Sequence, residues 1–121
     1  MTKRVAFSLI VGLCSTLALA EEPAFESVSS VLEHLQAQQD VQIRTEQGWT
    51  IAEDPTNMAL YTFTTEGHDA HPAVFMRKVV QSDGAVSLRS WGICEAEQEP
   101  CDSLSADFEA LNDRIRQEMT P

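Results

Sequence analysis

The chain has 121 residues and carries 19 Asp and Glu against eight Lys and Arg, a formal charge of −11. That length suits one domain after a leader is removed. So acidic a balance argues against nucleic acid and anionic membranes as partners, and fits a soluble exported protein.

Residues 1–20 have the pattern of a secretory signal peptide. Lys3 and Arg4 precede a mostly apolar run from Phe7 to Leu19, and Ala18-Leu19-Ala20 offers a small-x-small site. Cleavage is expected after Ala20. The apolar run falls short of the roughly 20 residues a spanning helix needs, so a retained anchor ranks second. Leu13 stands before Cys14, where bacterial lipidation needs a small residue, so a lipoprotein is rejected. The mature domain is then 21–121. Losing Lys3 and Arg4 takes its charge from −11 to −13.

After a loose lead-in, a first helix is expected from about Glu26 to Gln39. Phe25, Val28, Leu32 and Leu35 recur at three- and four-residue steps, with Val31 beside them, and Ser27 or Glu26 would start it. His34 reads as a solvated or half-packed helix residue. Val41–Thr45 alternates weakly and is a candidate short strand, ranked below Trp49–Ile51. Trp49–Ile51 and Leu60–Thr64 read as strands around a turn at Asp54-Pro55-Thr56-Asn57, where proline presets φ and Asp and Asn bond locally.

Ala73 to Cys94 reads as a hairpin. Two apolar, β-branched runs flank Asp83-Gly84, and both residues tolerate the positive φ of a tight turn. Ser82 then opposes Ala85, Val79 opposes Leu88, Phe75 opposes Gly92 and Ala73 opposes Cys94. One face collects Phe75, Val79, Val86, Leu88 and Cys94. The other collects Val74, Met76, Val80, Trp91 and Ile93, with Lys78 opposite Arg89.

Cys94 and Cys101 remain after processing, and an even count in an exported chain reads as a disulfide. Closing so short a loop contributes about 2.5 kcal/mol in the chain-entropy model. Six intervening residues do not suit a redox Cys-x-x-Cys, and zinc would need further ligands.

A second helix is expected from about Ser103 to Met119, capped by Asp102 or Ser103. Leu104, Phe108, Leu111, Ile115 and Met119 make its apolar stripe. The expected fold is α+β and two-layered. A four-stranded antiparallel meander is flanked in sequence by the two helices (α-β-β-β-β-α), both helices cover one face, and one disulfide closes the domain.

Two stretches are candidate sites. Glu66-Gly67-His68-Asp69-Ala70-His71-Pro72 places two imidazoles and two carboxylates within a short loop. The hairpin brings that loop toward Glu95, Glu97 and Glu99. Glu66, His68, Asp69, His71 and Glu95 are therefore candidate ligands for zinc or copper. The bland reading is a polar connection with a proline stop. The other candidate is the sheet face of Val74, Met76, Trp91 and Ile93, which needs a cover. A partner protein, an apolar ligand, a second subunit or the chain's own loops would provide one. No Gly-x-Ser-x-Gly, phosphate loop or His-Glu-x-x-His occurs, so no catalytic residue is singled out.

The stretch TFTTEGHDAHPAV, the Cys-x6-Cys pair and FEALNDRIRQ together resemble small uncharacterised exported proteins of Gram-negative bacteria, over roughly residues 49–119. The resemblance implies a periplasmic location and carries no activity. The reading at this point is a non-catalytic periplasmic or secreted binding protein that uses the apolar sheet face. A divalent-metal binder is the alternative, and an enzyme of unknown type comes third.

Overall fold

The structure is a computed structural model that describes residues 24–120; the expected leader and its cleavage site lie outside the described residues. The elements run α1 (Val28–Gln36), β1 (Gln42–Glu46), β2 (Trp49–Asp54), a short 3-10 turn (Pro55–Asn57), β3 (Ala59–Thr64), β4 (Ala73–Ser82), β5 (Ala85–Cys94) and α2 (Gln98–Met119). The strands form one antiparallel meander in the order β1-β2-β3-β4-β5.

The β4–β5 hairpin has the register read from its sequence. Ser82 opposes Ala85, Val79 opposes Leu88, Phe75 opposes Gly92 and Ala73 opposes Cys94. Asp83 (φ 54°) and Gly84 (φ 79°) both take the left-handed region, as a two-residue turn demands. The Asp54 turn also forms. Asp54 accepts from the Asn57 backbone at 3.4 Å and from its side-chain Nδ2 at 2.8 Å.

The sheet has five strands, not four. The extra one is β1, joined to β2 by another two-residue turn at Gln47 (φ 54°) and Gly48 (φ 86°). All five β1 residues are exposed, so no burial pattern marks this strand in the sequence.

The layering also differs from expectation. The helices lie on opposite faces, so the domain has three layers. Val28, Val31 and Leu35 of α1 pack with Ala52, Phe63 and Val74, joined at the margin by Tyr61, Trp91 and Ile93. Leu104 and Phe108 of α2 pack with Ala70, Ala73, Trp49, Phe75 and Cys94 on the other face. Both sheet faces are apolar, and each must be removed from water. One helix per face accomplishes this.

Two adjacent residues fix that arrangement. Successive strand residues point to opposite faces. Cys94 points to the α2 side and forms the disulfide with Cys101, with Cα atoms 5.8 Å apart. Glu95 turns the other way, and its Oε2 accepts from the Val28 backbone N–H at 3.0 Å. The first turn of α1 has no acidic residue of its own, so Glu95 supplies the negative charge that a helix N-terminus favours. Ser27 completes this end. Its side chain accepts from Ser30 N at 3.1 Å, while Ser30 Oγ accepts from Ser27 N at 3.2 Å.

Helix α2 begins at Gln98, five residues before the expected start at Ser103, with Glu97 as its N-cap. Pro100 is tolerated because first-turn N–H groups have no partner within the helix. The caps expected at Asp102 or Ser103 therefore do not exist, and Cys101 lies inside the helix. Among the described residues, no helix is long and apolar enough to cross a membrane.

Candidate functional site

The histidine loop and the glutamate-bearing connection do meet. Glu95 N donates to Pro72 O at 2.9 Å, so the two backbones are neighbours. Their side chains are otherwise engaged. His68 Nδ1 accepts from Ala70 N at 2.9 Å, and the ring lies 5.2 Å from that of Trp49. His71 Nδ1 is 2.7 Å from Thr64 Oγ1. That hydroxyl oxygen accepts from Ala73 N at 2.9 Å and lies 3.5 Å from Ala73 O, to which it can donate. His68 thus suits the tautomer with hydrogen on Nε2, and Nδ1 of both rings is engaged within the chain. Glu95 is committed to α1, and Glu66 and Asp69 are exposed. Among the described residues, no group of three His, Cys, Asp or Glu side chains is placed to hold a metal ion.

The Trp91 face is not bare: of the covers the sequence leaves open, the chain itself provides part of one. Val74 is wholly buried and Met76 is 5% exposed. Trp91 and Ile93 are half-buried against the α1 core. Phe25, just before α1, sets its ring 6.1 Å from that of Trp91, and Tyr61 stands edge-on to Trp91 at 6.2 Å. Burial, and after it the charge of Asp54, hold the Tyr61 phenol above its ordinary pKa. The chain's own N-terminal segment supplies the cover.

A cleft of about 1030 Å³ opens on the opposite face, between α2 and the hairpin. Six consecutive residues of β5, Ser87 to Gly92, line it. Side chains alternate between the faces of a strand, so an unbroken run of lining residues means that the β5 backbone itself borders the space. The other wall is one face of α2, from Ser105 and Phe108 through Asn112 to Arg116, and Phe75 and Arg77 of β4 form the floor.

β5 is an edge strand. The tight turn closes on Ser82 and Ala85 as a hydrogen-bonded pair, and such pairs alternate along an antiparallel ladder. Leu88, Ser90 and Gly92 therefore turn their N–H and C=O groups away from β4. Arg116 Nη2 donates to Leu88 O at 3.2 Å, as this alternation requires, while its Nη1 donates to Asp113 at 3.0 Å. The arginine closes one end of the cleft.

The interior is narrow at β5 by design of its side chains. A Cβ added to Gly92 would stand 2.5 Å from the Phe75 ring, so that ring lies across the strand toward the open edge. Phe75 stacks on Phe108 with centroids 4.5 Å apart and planes 10° apart. Arg77, opposite the small Ser90, forms no ion pair among the described residues. Its half-burial holds the guanidinium below its ordinary pKa. Asn112 is 6% exposed, and its Oδ1 has no hydrogen-bond partner.

Sequence reasoning missed this cleft. Its signals are the small residues Ser90 and Gly92, which follow Leu88 on one face of β5, and the polar Asn112 one position from the α2 stripe. No family model matches the chain, nor does any curated protein or solved structure.

Proposed function

We propose that this is a non-catalytic, exported binding protein that captures an extended polypeptide segment as a sixth strand beside β5, in the cleft against α2. The observation that carries the reading is the continuous Ser87–Gly92 lining of that cleft by an edge strand. Unpaired edge groups are a template for another strand: the main chain supplies affinity and flanking pockets supply selectivity. Asn112 adds support. A buried acceptor without a donor costs about 1–3 kcal/mol, and an occupant that donates to it recovers that cost. Export rests on the leader-like start and is compatible with the Cys94–Cys101 disulfide.

The test uses a library of linear peptides selected against residues 21–121, with amide exchange on the resulting complexes. Selected peptides should slow exchange at Ser90 and Gly92. A Ser90→Pro variant should lose binding about tenfold or more while staying folded, because proline removes an N–H that the β4–β5 ladder does not use. Peptides that bind Ser90→Pro as well as wild type, or that protect His68 and His71 instead, would refute the proposal.

A further inference from the structure

We infer that the segment added beside β5 presents a carboxylate to Arg77, so that the cleft selects for an acidic group on the strand position facing Ser90. This rests on the strand-addition reading and goes beyond it by naming the chemistry the cleft chooses.

The argument begins with where the few cations are. Six Lys and Arg lie among residues 24–120, and three of them, Arg77, Arg89 and Arg116, line this cleft. With Glu109 and Asp113 also on its lining, the cleft carries a formal charge of +1 in a chain of −11. The three are not equivalent. Arg89 alternates with Ser90 and belongs to the Trp91 face of the sheet. Arg116 is occupied by Asp113 and by Leu88 O. Arg77 shares the α2 face, is half-buried, and has no carboxylate partner among the described residues.

Geometry directs Arg77 outward along the sheet. Its cross-strand neighbour is Ser90, and the next residue of β5 on that face is Gly92. Neither side chain blocks the way, and the Phe75 ring already uses the gap above Gly92. A strand added beside β5 lies two strand spacings from β4, roughly 10 Å. An arginine and an Asp or Glu side chain, or a chain-terminal carboxylate, together bridge that distance over a serine. In so partly desolvated a place, a guanidinium–carboxylate pair is a charge-assisted, bidentate contact. Glu109 also lines the cleft from α2. It opposes an anion there, which makes its neutralisation a test of sign.

The probes are synthetic octapeptides of one β-prone sequence taken from the selection above. Each is made with Glu, Gln or Lys at the position facing Ser90, and with a free or an amidated C-terminus. Affinities are measured for wild type, Arg77→Gln, Arg77→Lys, Glu109→Gln and Ser90→Pro. The Glu peptide should bind wild type about tenfold more tightly than the Gln peptide. That preference should vanish in Arg77→Gln, return in part in Arg77→Lys and grow in Glu109→Gln. A preference that follows the free C-terminus identifies the terminal carboxylate as its source; one that follows Glu in amidated peptides identifies the side chain. Binding that is lost in Ser90→Pro but shows no acid preference, or keeps it in Arg77→Gln, overturns the carboxylate inference and leaves strand addition standing. An Arg77-dependent acid preference that survives Ser90→Pro refutes strand addition instead and leaves an anion site alone.

Discussion

Replacing Gly92 by alanine tests the floor of the cleft without any ligand. The added methyl would stand 2.5 Å from both Cδ2 and Cε2 of Phe75 and 3.3 Å from its Cγ, so the ring has to move. It cannot simply tilt, because Phe108 stacks on it at 4.5 Å. Overpacking of this kind costs about 1–3 kcal/mol. Alanine recovers roughly 0.5–1 kcal/mol of backbone entropy that glycine loses in a strand. The net expectation is a loss of about 1–2 kcal/mol, or roughly 5–15 °C in Tm for a domain of this size. The assay is urea unfolding of wild type, Gly92→Ala, Phe75→Val and the double variant. With the ring gone the methyl has room, so the double variant should lie about 1 kcal/mol or more above the additive value. Gly92→Ala as stable as wild type, or strict additivity with Phe75→Val, would refute the account of the floor.

Glu95→Ala should destabilise the domain by about 1 kcal/mol through loss of the α1 N-terminal bond, with Glu95→Gln intermediate; denaturation together with faster exchange of the Val28 amide checks it. Replacing both Cys94 and Cys101 by serine should cost about 2.5 kcal/mol from the closed loop, read from urea unfolding with midpoint and slope both fitted. Tyr61 has a folded-state pKa above its unfolded value, so the folded protein holds the phenolic proton more tightly. Its contribution is complete below about pH 10 and is lost as the pH climbs through the raised folded value. Stability measured from about pH 9 to pH 11 should therefore fall less steeply in Tyr61→Phe than in wild type.

How far the fold is legible in the residues differs from element to element. Asp83-Gly84 prescribes a two-residue turn, and one tight turn sets the register of ten opposed pairs. Both faces of the hairpin follow from it, including the side on which Cys94 points. β1 is only faintly marked, by the alternation of Val41–Thr45 and by Gln47-Gly48, because all its residues are exposed and no apolar face singles it out. The start of α2 is hidden because Pro100 looks like a stop, although the first turn of a helix tolerates it.

The candidate sites show the same division. His68 and His71 catch the eye as ligands, but a local pattern says nothing about whether Nδ1 is already used by Ala70 N and Thr64 Oγ1. The Trp91 side is visibly apolar in the sequence and needs a cover. That α1 provides it depends on Glu95 reaching Val28, a contact between residues 67 positions apart. The cleft depends on a relation that no motif holds: α2 lying along the edge of β5, with small side chains beneath.

Residue order alone determined the turn chemistry, the strand register, the two amphipathic helices and the cysteine pair, because each follows from φ preferences and from periodicities of two or 3.6 residues acting over short spans. Tertiary structure decided which helix took which face, since both stripes are apolar and both faces accept one. The tie was broken by neighbours that point apart, Cys94 toward Cys101 and Glu95 toward Val28. With that choice made, the open edge of β5 came to lie beside α2, and a cleft appeared that no segment of the chain contains.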